Sequence, residues 1–128
     1  MGRLREIVFD CRSAPALARF WAAALDGYAV RAYDQAEIER LAALGHTPET
    51  DPTVLVDGPG PSLCFQQVPG RDYTNNRVHL DIAAADRTAE VRRLLALGAK
   101  VQREADEYTV MLDPEGNQFC VVERRTEA

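Results

Sequence analysis

An internal repeat is the feature that most constrains how this chain can fold. Segment 53–65, TVLVDGPGPSLCF, aligns without gaps on segment 109–121, TVMLDPEGNQFCV. A Thr-Val pair, an Asp, a Gly and a Cys recur at matching positions, and the recurring cysteines are Cys64 and Cys120. Each copy has an apolar run, a turn containing Pro and Gly, and a second apolar run, which predicts a β-hairpin. The repeat therefore predicts two similar modules.

The two halves also begin alike. Segments 6–10 and 79–83 are typical of strands, and each leads at the same spacing to a helix N-cap, Ser13 or Asp86. Behind each N-cap, apolar residues recur at helical spacing: Leu17, Phe20, Trp21, Ala24 and Leu25 in the first half, and Val91, Leu94 and Leu95 in the second. We expect Gly27 and Gly98 to end these helices as C′ residues. Short strands are then expected over 28–31 and 99–103.

Each half therefore reads as βαβββ, which predicts an α+β fold. We expect one domain over 1–128, with module one over 3–68, a polar linker over 69–74 and module two over 75–124. An inserted segment lengthens module one. Asp34 and Glu37 resemble a capping box there and Gly45 stops the pattern, which predicts a surface helix over 34–45. Its apolar edge is expected to comprise Ile38, Leu41 and Leu44. Modules of this size bury too little surface alone, so we expect them to pack together.

The alternation of strand residues assigns side chains to the two faces of each sheet. In the strand from Arg77, we expect Val78, Leu80 and Ile82 beneath the helix. The other face is expected to carry Arg77, His79 and Asp81. In the first strand, Ile7 and Phe9 are expected beneath the helix, and Glu6, Val8 and Asp10 on the other face.

Charged side chains in mid-strand are costly unless they are solvated or paired. We therefore expect the two open faces to confront each other across a wet cleft that Cys64 and Cys120 also face. A specific prediction follows: Glu6 and His79 lie within hydrogen-bonding reach across the junction of the modules.

Composition excludes several classes of protein. The net charge of −5 disfavours nucleic acid as a partner. No apolar run approaches the roughly 20 residues that span a bilayer, and the first residues lack the apolar region of a secretory signal. Three widely spaced cysteines without a CxxC pair favour a reducing, cytoplasmic setting. Lys100 is the only lysine beside many arginines, a bias that suggests a bacterial genome. Gly-rich phosphate loops and a serine nucleophile elbow are absent.

Four segments resemble the vicinal oxygen chelate superfamily, which includes glyoxalases, bleomycin-resistance proteins and extradiol dioxygenases. They are LARFW at 17–21 ahead of Gly27, NRVHLD at 76–81, LALGA at 95–99 and DPEGN at 113–117. The chain is most similar to the small glyoxalase-like branch. This resemblance implies paired βαβββ modules curved around a ligand cavity, and it makes a homodimer an expectation. We assign DPEGN to a turn and expect Phe20 and Trp21 in the core.

The resemblance also implies a divalent metal in many members, held from the first and last strands of each module. The corresponding positions here are Glu6, Cys64, His79 and Cys120. Metal-using members usually have His or Gln at the first position and Glu at both last-strand positions, so this chain departs at three of the four. We therefore expect no cofactor. A divalent metal on His79 and Glu6, with the cysteines completing a zinc site, is the less favoured alternative; otherwise both cysteines are small buried thiols.

Two functions remain open at this point. In the first, the chain is a glyoxalase-like lyase, isomerase or epimerase in which His79 moves a proton next to a carbonyl and Glu6 orients it. Arg77 would then stabilise the developing negative charge. In the second, the chain sequesters a drug or metabolite without metal or chemistry, and the acidic lining of Glu6, Asp10 and Asp81 suits a cationic or polyhydroxy ligand. The missing glutamates argue against metal-dependent glyoxalase I activity. In either case, we expect five residues of the cleft to bind the ligand: Asp10, Arg77, Asp81, Cys64 and Cys120.

Overall fold

The computed structural model describes residues 1–70 and 78–123. These residues belong to two compact units, divided between positions 71 and 72. Each unit is built on a four-stranded sheet, and the fold is α+β. The expected extents of the domain, the linker and the modules stay predictions.

The first unit contains four strands and two helices. In chain order they are β1 (Glu6–Cys11), α1 (Ala14–Ala24), β2 (Ala29–Val30), α2 (Gln35–Ala43), β3 (Thr53–Asp57) and β4 (Ser62–Gln67). The strand order in this first sheet is β1-β4-β3-β2, with β1 parallel to β4 and the other neighbours antiparallel. Helix α1 begins where predicted, because the Ser13 hydroxyl accepts the Ala16 amide proton.

The second unit repeats this plan without the inserted helix. Its elements are β5 (Leu80–Ala84), α3 (Arg87–Ala96), β6 (Lys100–Glu104), β7 (Tyr108–Leu112) and β8 (Gln118–Glu123). The strand order of this second sheet, β5-β8-β7-β6, matches that of the first sheet position for position. Asp86 caps α3 by accepting the Ala89 amide proton. The repeated hairpins are thus confirmed as β3–β4 and β7–β8.

Each sheet has one face covered by the helix that follows its first strand. In the first unit, the Phe9 ring stacks on Phe65 with 4.9 Å between centroids and lies 5.9 Å from the Trp21 ring. Trp21 and Phe65 are both almost fully buried. Burial of a large side chain contributes roughly 1.5–3 kcal/mol, so this face carries much of the stability of the unit. Phe20 and Trp21 are core residues, as expected. The uncovered face of each sheet is called its open face below.

Several local predictions are wrong, chiefly at the ends of elements. Val78 precedes β5 and is 68% exposed instead of lying beneath α3, because the strand begins at Leu80 and not at 77. Leu95 is also exposed, since α3 turns only Val91 and Leu94 towards the sheet. Residue 77 lies outside the described residues, as does most of the predicted linker.

The inserted helix and the end of α1 also differ from expectation. Helix α2 is capped by Asp34 and spans Gln35–Ala43, but only Leu41 of its expected apolar edge is buried. Glu37 does not complete a capping box: its carboxylate binds Arg40. Helix α1 stops at Ala24 because Leu25 is extended, so Gly27 lies in the following turn and is not a C′ residue. Gly98, with a φ of 111°, does end α3 as predicted.

Candidate functional site

The open face of the first sheet carries the residues predicted for module one. On β1, the Asp10 carboxylate accepts a hydrogen bond of 2.8 Å from the Gln66 side chain, and Glu6 lies 3.3 Å from the Arg5 guanidinium. Cys64 alternates along β4 with Leu63 and so lies on the same face as Glu6. Strand alternation therefore places the predicted residues of module one on the expected face.

Cys64 is a poor nucleophile in this setting. Its side chain is buried, and burial raises the pKa of its thiol; the Glu6 carboxylate raises it further. Arg31 opposes this effect, but its guanidinium is already bound by Asp57 through two contacts of 2.8 and 2.9 Å. A neutral thiol at neutral pH is the expected state.

The second sheet forms a groove on its open face. The groove has a volume of about 430 Å³ and is lined by His79, Asp81, Gln102, Arg103, Tyr108, Val110, Gln118, Cys120 and Val122. All of these residues come from β5 to β8 or from the residue immediately before β5. A volume of this size suits a small metabolite, and the lining combines polar side chains with apolar surface. We call it the second-sheet groove.

Three potential metal or proton ligands meet in this groove. The imidazole Nε2 of His79 lies 3.5 Å from the Asp81 carboxylate, and both side chains are more than half exposed. Asp81 pairs directly with Cys120 across the parallel β5–β8 ladder, which brings the thiol alongside. One ligand atom from each residue lies within 4.8 Å of the others. We call these three residues the three-donor cluster.

The backbone of the second sheet explains this arrangement. Residues two apart on a strand share a face, so His79 and Asp81 lie on the same side, although His79 just precedes β5. Burial raises the pKa of the Cys120 thiol, and the Asp81 carboxylate raises it further, whereas Arg103 lowers it. Cys120 is therefore expected to remain a neutral thiol at neutral pH.

Sequence reasoning missed four polar residues of the groove. Gln102, Arg103 and Tyr108 come from β6 and β7, and Gln118 comes from the start of β8. A signal for Tyr108 and Gln118 existed, because alternation from Cys120 and Val110 places both on the open face. Arg103 had no such signal, since a β-bulge between Val101 and Arg103 shifts the register of β6.

The predicted proximity of Glu6 and His79 concerns the relative placement of the two units, and it stays a prediction. The same holds for the expectation that Cys64 and Cys120 face one cleft. Arg77, expected to act as the cation of the site, lies outside the described residues. The described groove has another cation, Arg103.

The donor chemistry of the three-donor cluster fits a metal ion. An imidazole, a carboxylate and a thiol together suit Zn²⁺ better than hard ions such as Mg²⁺, which prefer oxygen ligands. His79, Asp81 and Cys120 would hold the ion, and a bound Zn²⁺ would polarise a carbonyl group. A metal-bound imidazole cannot also take up a proton. The metal content of the protein therefore distinguishes His79 as a metal ligand from His79 as a proton acceptor.

The chain belongs to the glyoxalase-like domain family, whose model matches residues 6–122. Its similarity to solved structures shows the glyoxalase/bleomycin-resistance fold. A glyoxalase/bleomycin resistance protein/dioxygenase family enzyme from Burkholderia phytofirmans PsJN has a TM-score of 0.69 at 15% identity, and the match covers 95% of this chain and 98% of that one. The family assignment confirms the resemblance inferred from the sequence motifs.

Two further structures share this fold. Glyoxalase I from Leishmania major has a TM-score of 0.60 at 18% identity, covering 96% of this chain and 87% of that one. A bleomycin-binding protein in complex with bleomycin has a TM-score of 0.54 at 12% identity, covering 98% of this chain and 100% of that one. At these identities the similarity concerns the fold alone.

No curated protein matches the sequence significantly. None of the helices in the described residues is long and apolar enough to cross a membrane.

Proposed function

We propose that this chain is a small-molecule enzyme that moves a proton on a carbon next to a carbonyl group, with His79 as the base. The observation that carries the proposal is the His79–Asp81 pair at the second-sheet groove, with 3.5 Å between the imidazole and the carboxylate. A carboxylate in this position orients the ring and stabilises the imidazolium that forms when the ring takes a proton. The His79 side chain is 56% exposed, so a bound ligand can reach it.

Tyr108 and Arg103 supply the second requirement of this proton transfer, which is stabilisation of the negative charge on the carbonyl oxygen. When the C–H bond breaks, its proton goes to the imidazole and its electron pair moves towards the carbonyl oxygen, which gives an enolate. The Tyr108 hydroxyl accepts a contact of 3.4 Å from Arg103, which leaves its own proton to donate to that oxygen. Return of a proton to the opposite face of the same carbon completes an epimerisation. Where the substrate is a hydroxycarbonyl compound, protonation of the neighbouring carbon, with a proton moved from one oxygen to the other, completes an isomerisation.

Glu6 keeps the orienting role predicted for it only if the two units meet as the sequence argument expects. In the described geometry Asp81 is the carboxylate within reach of His79. Replacing Glu6 by Gln therefore tests the cleft hypothesis, whereas replacing Asp81 by Asn tests the pair inside the second unit.

Exchange of carbon-bound hydrogen in D₂O tests the proposal without knowledge of the natural substrate. Dihydroxyacetone, hydroxypyruvate and 2-oxobutyrate serve as probes, and proton NMR follows the loss of the C–H signal next to the carbonyl. We expect the chelator-treated protein to exchange at least one probe faster than buffer. His79→Ala should lower the exchange rate at least about a hundredfold, the lower range for a general base.

His46 provides the matched control, because it is the other histidine of the chain and its ring contacts Thr50 in the first unit. His46→Ala should exchange the probes as the wild type does. Failure to exchange any of the probes, or equal rates in both histidine variants, would contradict the proposal.

Sequestration without chemistry is the second candidate function. It is favoured by the fold shared with a bleomycin-binding protein and by the size of the second-sheet groove. A thermal-shift titration with bleomycin tests it, because a ligand at 100 times its dissociation constant adds about 2.7 kcal/mol to stability. Stabilisation by bleomycin together with no probe exchange would favour sequestration over catalysis.

The cytoplasmic location, the bacterial source and the homodimer also belong to this proposal. The three free cysteines support a reducing location. Sedimentation equilibrium tests the homodimer. The net charge of −5 supports the absence of a nucleic-acid partner.

A further inference from the structure

Arg103 is the cation of the second-sheet groove, and no described carboxylate binds it. Its guanidinium lies 5.6 Å from the centre of the Tyr108 ring and within 3.4 Å of the Tyr108 hydroxyl. The comparable cation of the first sheet, Arg31, already donates hydrogen bonds to the Asp57 carboxylate through its Nε and Nη2 atoms. Arg103 therefore keeps a paired set of N–H groups for a ligand carboxylate, whereas the Nε–Nη2 side of Arg31 is already occupied by Asp57.

The bulge in β6 accounts for the position of Arg103. Val101 pairs with Met111, and Arg103 pairs with the next residue of β7, Val110, so Gln102 is the extra residue. Without a bulge, Gln102 would oppose Val110 and the next residue would turn towards the helix. The bulge lets both consecutive side chains face the groove, where Gln102 also accepts a hydrogen bond of 2.7 Å from Gln118.

We propose that the second-sheet groove recognises a monoanionic carboxylate metabolite, with Arg103 binding the carboxylate and determining this specificity. The inference deepens the proposed function, because it names the substrate class of the same groove. A guanidinium presents two parallel N–H groups that match the two oxygens of a carboxylate. The contacts with the ring and the hydroxyl of Tyr108 hold the guanidinium in place and limit the entropy lost on binding.

The charges in the groove favour one negative charge on the ligand over two or none. Arg103 and Asp81 are the groove residues with fixed charges of opposite sign. A phosphate group carries about −1.5 to −2 charges at neutral pH, so one guanidinium would leave it partly uncompensated near Asp81. A cationic ligand would be attracted by Asp81 but repelled by Arg103, and the Asp81 carboxylate already lies 3.5 Å from the His79 ring.

Four probes built on one three-carbon diol scaffold separate these possibilities. They are glycerate, neutral glyceramide, dianionic glycerol 3-phosphate and cationic 3-amino-1,2-propanediol. Binding to the isotope-labelled protein is followed through amide chemical shifts, which also report whether each variant is folded. We expect glycerate to bind about tenfold more tightly than glyceramide, a difference of about 1.4 kcal/mol, and more tightly than the other two probes.

Substitution of Arg103 identifies the source of this preference. In Arg103→Gln, glycerate and glyceramide should bind within about twofold of each other, and Arg103→Lys should retain part of the preference because it keeps the charge without the planar fork. The matched control is Arg93→Gln, because Arg93 lies on α3 and binds Glu90 through its Nε and Nη2 atoms. This control should keep the full preference for glycerate.

The outcomes separate this inference from the proposed function. The carboxylate inference would be overturned by any of four results: glycerate does not bind, glycerate and glyceramide bind equally, the phosphate or the amine binds more tightly, or the preference survives Arg103→Gln. Because the experiment measures binding alone, hydrogen exchange without carboxylate preference would refute only the substrate class. Carboxylate preference without any hydrogen exchange would refute only the catalytic proposal.

Discussion

Asp57 and Asp113 occupy matching positions in the repeated hairpins, yet we expect their removal to affect stability very differently. Asp113 is 3% exposed, and its carboxylate accepts hydrogen bonds from the amides of Glu115 and Asn117, both at 2.9 Å, and from the Asn117 side chain at 2.8 Å. Asp57 instead binds two side chains, those of Arg31 and Ser62, and its side chain is 41% exposed.

The expected magnitudes follow from these environments. Asp113→Ala leaves backbone and side-chain donors of a tight turn without an acceptor, and hydrogen bonds to charged groups contribute roughly 1.5–3 kcal/mol each, with partial compensation by water. We expect a loss of about 3 kcal/mol in the free energy of unfolding. Asp57→Ala breaks a solvent-exposed ion pair, for which about 1 kcal/mol is an upper expectation.

Thermal and urea unfolding measure the difference between the two variants. With an unfolding entropy of about 2.1 cal/mol/K per residue, 1 kcal/mol corresponds to roughly 4 °C in Tm for a chain of this length, so Asp113→Ala should lower Tm by about 11 °C and Asp57→Ala by about 4 °C. Equal losses, or a larger loss for Asp57→Ala, would refute the argument that hydrogen bonds accepted by the buried Asp113 carboxylate stabilise the turn between β7 and β8.

Three further predictions concern pH, packing and metal. The Arg31 guanidinium and the Ser62 hydroxyl lower the pKa of Asp57 from 3.8 to about 2. Its ion pair therefore stabilises the fold above the unfolded pKa, and this stability is lost as the pH falls from about 4 to 2. The free energy of unfolding of Asp57→Asn should depend less on pH in that range than the wild type's, and an equal dependence would contradict the prediction. A Cβ on Gly58 would lie 2.5 Å from the Tyr28 ring, so Gly58→Ala should cost roughly 1–3 kcal/mol in urea unfolding. This cost should largely vanish in a Tyr28→Ala background, and a cost that persists there in full would contradict the argument. Protein purified without chelator should contain far less than one equivalent of transition metal by elemental analysis; stoichiometric zinc that is lost in Cys120→Ser and kept in Cys64→Ser would show instead that the three-donor cluster is a metal site.

Much of the fold could be predicted because its signals are local or repeated. The N-caps at Ser13 and Asp86 need only a side-chain oxygen within reach of the next turn, and both form as expected. Alternation placed Glu6 and Asp81 on open faces, since that rule depends on the pleat of a single strand. The matching strand orders of the two sheets follow from the repeat, because similar segments pair in similar ways.

The errors arise where an element ends. Val78 fits the alternation of β5, but the parallel ladder with β8 starts only at Leu80, so its side chain has no sheet to pack on. Leu95 fits a helical stripe, but the stripe of α3 that packs against the sheet is narrower than the pattern. The burial of Val78 and of Leu95 depends on how far the neighbouring strands extend alongside them, and no local sequence pattern contains that information.

The repeat and the local periodicity of the amino-acid sequence were enough to predict the repeated order of elements, the open faces of β1 and β5 and the helix starts. The resemblance of four short motifs indicated the family. The second-sheet groove required the folded chain, because it depends on which strands pair and in what register. The β6 bulge that turns Arg103 into the groove exists only in the pairing of β6 with β7, and Asp81 meets Cys120 only through the β5–β8 ladder. Contacts between residues far apart in the chain result from the free energy of the whole sheet, and no short window of sequence contains them.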